Sequence, residues 1–126
     1  MGPPETAVEL ARRLFAAIEA GDIETVREMY APDARIWHNT DGVVQTPAEN
    51  LRTPRWVVEN VSDLRYTDLN CQPTATGFVQ QHVLRATGPN GAAIELPACI
   101  VATVDDGHIS RIDEYLDSAH AARLAT

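Results

Sequence analysis

The order of hydrophobic periods in this 126-residue sequence predicts an α+β fold. Apolar residues recur at helical spacing through the first half, and the period switches to two from about Ser62 onward. Gly- and Asp-rich breaks then divide the second half into consecutive long strands. That pattern describes an antiparallel sheet with helices covering one face. The length fits one domain spanning residues 1–126.

Thr6 followed by Glu9 predicts a capping box at the start of a first helix. Val8, Ala11, Phe15 and Ile18 supply its apolar stripe, widened by Leu10, Leu14 and Ala17. Gly21 ends that helix, and Asp22 caps a short second one carrying Ile23, Val26 and Met29, which stops near Ala31-Pro32. A strand follows from Ala34 to Asn39, then Thr40-Asp41-Gly42 and Val43-Val44-Gln45, a hairpin signal. Thr46-Pro47-Ala48-Glu49 starts a third helix with a cap, a proline at its first position and a glutamate at its third. Thr53-Pro54 repeats the signal, so this helix kinks or restarts; Trp56, Val57 and Val61 form its buried face. Strands are expected near 63–74, 77–87, 92–104 and 108–116, and a short terminal helix over Ser118–Leu124.

Ten Lys and Arg against eighteen Asp and Glu give a net charge of −8, which argues against nucleic acid or an anionic membrane as partner. No apolar run approaches the roughly 20 residues of a membrane span. The opening MGPPETAVEL lacks the basic and apolar regions of a secretory signal, so a cytoplasmic protein is expected. Cys71 and Cys99 then read as reduced thiols. His38, His82, His108 and His120 show no ligand spacing, and no metal site is expected. There is no glycine-rich phosphate loop and no nucleophile elbow; no cofactor is expected.

Alternation sorts the strand residues by face. Phe78, Gln80, His82 and Leu84 share one side of their strand, and Ile94, Leu96, Ala98, Ile100 and Ala102 one side of the next. Ile112, Glu114 and Leu116 share a side of the last. The uniformly apolar set with Leu96, Ala98 and Ile100 is assigned to the core, and Glu114 then points into an apolar interior. An ionised carboxylate there needs a partner, and His82 is the candidate. His38 alternates with Trp37 and Asn39, which turns it away from the interior unless a bulge intervenes. The outer face carries Val79, Val83, Val101 and Tyr115, an apolar stripe that suggests a homodimer through the sheet.

Three stretches carry a family resemblance: LFAAIEAGDIETVREMYAPD from Leu14 to Asp33, ARIWHN from Ala34 to Asn39, and ACIVATVDDGHISRIDEYLD from Ala98 to Asp117. Over roughly residues 6 to 120 the chain resembles the SnoaL-like branch of the nuclear transport factor 2-like superfamily. The resemblance implies a strongly curved sheet wrapped into a cone, a cystatin-like α+β barrel with the three helices packed on it and a deep apolar pocket inside. That scaffold hosts many unrelated functions. The C-terminal half is similar to limonene-1,2-epoxide hydrolase. That family's Tyr-x-Asn strand falls on Trp37-His38-Asn39, its first Asp on His82, its Arg on Gln80 and its second Asp on Glu114. Only Asn39 is retained; Glu114 keeps an acid and His82 a base, but Gln80 lacks the Arg charge that holds both carboxylates ionised, which argues against epoxide hydrolysis itself. In ketosteroid isomerase the base falls on or beside His38, and the oxyanion-hole acid falls near Ile100, which is apolar here.

The residues point first to a cofactor-free enzyme acting on a small apolar molecule by general acid–base chemistry, of hydrolase, dehydratase or isomerase type. His82 oriented by Glu114 is the expected catalytic pair, with Asn39 and His38 as further catalytic candidates. Phe15, Trp37, Trp56, Tyr66, Gln80, Leu96, Ala98, Ile100 and Ile112 are the expected ligand contacts. The alternative is a non-catalytic domain of the same fold that binds a hydrophobic ligand or serves assembly.

Overall fold

A computed structural model describes residues 5–117 and residue 119. The terminal helix expected over Ser118–Leu124 lies outside them, apart from Ala119. The elements run in the order α1 (Ala7–Ala20), α2 (Ile23–Met29), β1 (Tyr30–His38), β2 (Val44–Gln45), α3 (Pro47–Asn50) and α4 (Arg52–Asn60). Then follow β3 (Ser62–Pro73), β4 (Gly77–Thr87), β5 (Ala93–Asp105) and β6 (His108–Leu116). The expected third helix is α3 and α4, broken at Leu51 and not at Pro54, which sits within the first turn of α4 where a missing N–H is harmless.

Local chemistry accounts for the helix ends. Thr6 accepts from the Glu9 N–H, and Asp22 from the Thr25 N–H. Thr46 and Glu49 form a reciprocal capping box. Gly21 closes α1 at φ 74°, the left-handed region that a side chain disfavours. Its N–H reaches Ile18, and the Asp22 N–H reaches Ala17.

The six strands form one mixed sheet in the order β2-β1-β6-β5-β4-β3. All neighbours are antiparallel except β1 and β6, which run parallel. The sheet curves but does not close, so the cone is open between β2 and β3 and is not a complete barrel. Two register shifts in β3 fall beside Asp63 and Asp68, both at positive φ, and these bulges sharpen its bend. Helix α1 packs into the concave face, with Leu10, Ala11 and Leu14 buried against Phe78, Ile100, Ala102 and Ile109. Glu19 adds a tie by accepting from the Tyr66 N–H at 2.7 Å. The first strand starts at Tyr30, not near Ala34, because the chain turns straight from α2 into the sheet. No helix among the described residues is long and apolar enough to cross a membrane.

Candidate functional site

The concave face and the helices enclose a cavity of about 640 Å³. Leu14, Phe15 and Ile18 from α1 meet Leu84, Leu96, Ala98, Ile100, Ile112 and Leu116 across it. The wall is therefore apolar, as burial of one helix stripe against one sheet face dictates. Into this wall project His38, Glu114, His82, Tyr30 and Tyr66. Asp41, Gln45, Asn50, Arg52 and Trp56 also line the cavity. Trp56 is 37% exposed there, not part of a buried helix face.

His38 and Glu114 meet at the site with Nε2 and Oε1 2.9 Å apart, a hydrogen bond that becomes an ion pair when the imidazole is protonated. Parallel pairing of β1 with β6 sets His38 directly opposite Glu114 in register. Asn39 locks that register: its N–H donates to the Glu114 carbonyl, its Nδ2 donates to the Leu116 carbonyl, and its Oδ1 accepts from the Leu116 N–H at 2.7 Å. Each side chain of the pair is only 21% exposed. The hydrogen bond to Glu114 raises the His38 pKa above the ordinary 6.5, helped by the charges of Glu114 and Asp41, while burial opposes it.

The expected pairing of His82 with Glu114 does not occur. Both side chains line the cavity, but β5 lies between β4 and β6. Two strand spacings separate their backbones by roughly 10 Å. His82 instead holds its Nδ1 2.9 Å from the Gln80 side-chain nitrogen. It sits in an aromatic cluster, edge-on to Phe15 and Tyr66 with ring centroids 5.0 and 4.7 Å away. Burial lowers its pKa, against a smaller opposing pull from the Glu114 charge.

Alternation left two phases open for β1, one with His38 facing inward and one with Trp37 and Asn39 inward, and the structure has the first. Ile36 and His38 line the cavity, whereas Trp37 lies on the outer face, edge-on to Tyr115 at 5.3 Å. Trp37 is thus not a cavity residue, and Asn39 spends its amide on the β6 backbone, so it positions the pair and does not face a ligand. Gln80 is buried behind His82 and is not among the residues lining the cavity. Phe15, Trp56, Tyr66, Leu96, Ala98, Ile100 and Ile112 do line it.

Tyr30 was not anticipated. It is 8% exposed and lines the cavity, and its hydroxyl has no hydrogen-bond partner among the described residues. Burial, with the Glu114 charge nearby, raises its pKa, and the same two causes act on Tyr66. Both phenols therefore stay protonated, each with an O–H that can donate to a ligand. The only sequence cue to Tyr30 was its place where the helical period ends, and it fell between the two elements. Among the described residues no group of three or more His, Cys, Asp and Glu could hold a metal ion.

Known proteins of this fold match closely in shape and weakly in sequence. A candidate polyketide cyclase from Xanthomonas campestris shares 17% identity over 95% of this chain and 96% of its own, with a TM-score of 0.81. A protein of unknown function with the nuclear transport factor 2-like fold, from Burkholderia pseudomallei, shares 21% over 95% and 97%, with a TM-score of 0.80. A hypothetical protein with a ketosteroid isomerase-like fold from Catenulispora acidiphila, solved with trimethylamine, shares 11% over 85% and 84%, with a TM-score of 0.74. No curated protein is a significant sequence match. At these identities the structures share the fold. Residues 11–112 match the SnoaL-like domain, and the chain belongs to that family, a branch of the nuclear transport factor 2-like superfamily.

Proposed function

We propose that this protein binds a small apolar molecule in the cavity and transfers a proton on it, with His38 as the base and Glu114 as the group that orients and charges it. The observation that carries this reading is the 2.9 Å His38–Glu114 contact in an apolar wall. Glu114 accepts from Nε2–H, which fixes the imidazole and leaves Nδ1, without a partner among the described residues, to take a proton. Each proton gained turns a neutral ring into a cation beside a carboxylate, and that attraction is the cause of the raised pKa. A raised value brings the base toward neutral pH, where both of its protonation states are populated.

An enolisable ketone shows the step. The C–H bond beside the carbonyl breaks, its proton passes to Nδ1, and the electron pair moves onto the carbonyl oxygen. Where a C=C adjoins the α-carbon, the product is a dienolate, and return of the proton to its far carbon gives isomerisation. Where the β-carbon carries a hydroxyl, the electron pair forms a C=C as the C–O bond breaks, and the hydroxyl takes the proton from Nδ1 and leaves as water, which is dehydration. These are chemistries of the isomerase and dehydratase type, and one protein of the same fold, from Bacillus subtilis, is a candidate isomerase.

The test is proton–deuterium exchange on 2-tetralone, an apolar ketone with acidic α-hydrogens, followed by NMR in heavy water. Wild-type protein is expected to accelerate exchange above buffer, and His38→Gln and Glu114→Gln each to remove about tenfold or more of that acceleration. If wild type binds the ketone without accelerating exchange, the non-catalytic binding domain is the correct reading.

A further inference from the structure

We propose that His82, held from behind by Gln80, forms a second polar subsite of the cavity, one that binds the acceptor oxygen of a ligand. It rests on the cavity being the ligand site, and it does not require the proton transfer proposed above.

His82 is 4% exposed and Gln80 3%, so both are desolvated and each polar atom needs a partner. The Gln80 Nε2 lies 2.9 Å from His82 Nδ1. An amide NH2 can only donate, so Nδ1 accepts and the ring proton sits on Nε2. A ring that stays neutral carries one proton, and the lowered pKa keeps His82 neutral. Its Nε2–H has no partner among the described residues, while the ring lines the cavity. A buried donor left without an acceptor is destabilising, and a ligand oxygen would relieve it.

The surroundings narrow the ligand. Phe15 and Tyr66 flank the imidazole edge-on, so the ligand must present flat, apolar surface around its oxygen. The Tyr66 hydroxyl, held protonated by burial, is a second donor lining the same cavity. No carboxylate is bonded to either ring, and Glu114 lies two strands away. Cationic and donor-only groups therefore find no acceptor at His82. The ligand class is a neutral cyclic molecule with a carbonyl or ether oxygen on its buried end. Gln80 is a positioning residue, because it sets which ring nitrogen holds the proton.

Two measurements test this. In protein with ¹⁵N-labelled histidine, long-range ¹H–¹⁵N correlation at neutral pH should show His82 as the Nε2–H tautomer, and Gln80→Leu should lose that bias. By calorimetry, 2-acetylnaphthalene should bind wild type about five- to tenfold more tightly than 2-ethylnaphthalene, the ratio that one neutral hydrogen bond supplies. His82→Phe should erase the preference while retaining 2-ethylnaphthalene. An Nδ1–H tautomer in wild type overturns the proposal without recourse to any variant. So does a preference that survives in His82→Phe, and so does failure of both naphthalenes to bind wild type. Absence of the preference in wild type, with intact tetralone exchange, refutes the subsite alone. Loss of exchange with an intact preference refutes the acid–base reading alone.

Discussion

Replacing Glu114 by Gln keeps the side-chain volume and an acceptor oxygen but removes the charge that faces His38. A hydrogen bond between charged groups contributes about 1.5–3 kcal/mol when fully buried. Both partners here are 21% exposed, so solvent screening reduces this to about 1 kcal/mol. For a domain of this size that is a fall of about 3–6 °C in Tm, or roughly 0.3–1 M in urea midpoint. The sign with pH follows from the direction of the shift. His38 has a folded pKa above its ordinary 6.5, so its paired, protonated form stabilises the fold fully below 6.5. That stabilisation is lost as pH rises through the folded value. Urea unfolding of wild type and Glu114→Gln, followed by tryptophan fluorescence from about pH 5.5 to about pH 9, should therefore show a gap widest at the acid end. A gap that is constant with pH, or widest at the alkaline end, would refute the pairing.

Other perturbations probe the remaining features. His82 behaves oppositely: its folded pKa is depressed by burial, so its contribution is present above 6.5 and is lost as pH falls through the folded value. His82→Phe should flatten that acid-side loss in the same urea series. Ala98 lies on the cavity floor, directly opposite His82 in register, and Ala98→Phe should weaken 2-ethylnaphthalene about tenfold or more with little change in Tm. Gly77→Ala should cost about 2–3 kcal/mol in urea unfolding, because the added Cβ would lie 2.0 Å from the Ala102 carbonyl oxygen, which is backbone and cannot turn aside. We propose that a second copy of the chain covers the outer face at Val101 and Tyr115, 39% and 47% exposed. Sedimentation should show a dimer that Val101→Lys dissociates, and a wild-type monomer at all concentrations would end that proposal.

What the sequence disclosed was set by how local each determinant is. Thr6, Gly21 and Thr46 act within a turn of themselves, and their caps were legible at once. The inward faces of β4, β5 and β6 were also legible, since plain alternation over Phe78–Leu84, Ile94–Ala102 and Ile112–Leu116 needs no tertiary knowledge. The partner of Glu114 was not legible, because it depends on strand order. Sequence neighbours suggested His82, whereas the parallel join of β1 to β6 brings in His38 from the other end of the chain. Trp37 and Asn39 were misread for a related reason. The register between β1 and β6 shifts between Tyr30 and Arg35, so the phase of β1 could not be carried forward from α2. The unpartnered Tyr30 hydroxyl was equally hidden, since only the folded helix α1 and sheet close the cavity around it.

That parallel join also orders events for a chain emerging from the ribosome. Strands β3 to β6 link to one another through short turns, whereas β1 has only the two-residue β2 beside it until β6 follows. Closing so long a loop carries a larger entropic penalty than any hairpin does. An incompletely assembled chain could thus own helices, a half-built cone and a greasy hollow, yet keep its imidazole and its carboxylate apart. The contact between His38 and Glu114, on this geometry, arrives only with the final zipping of the two halves and so marks completed folding.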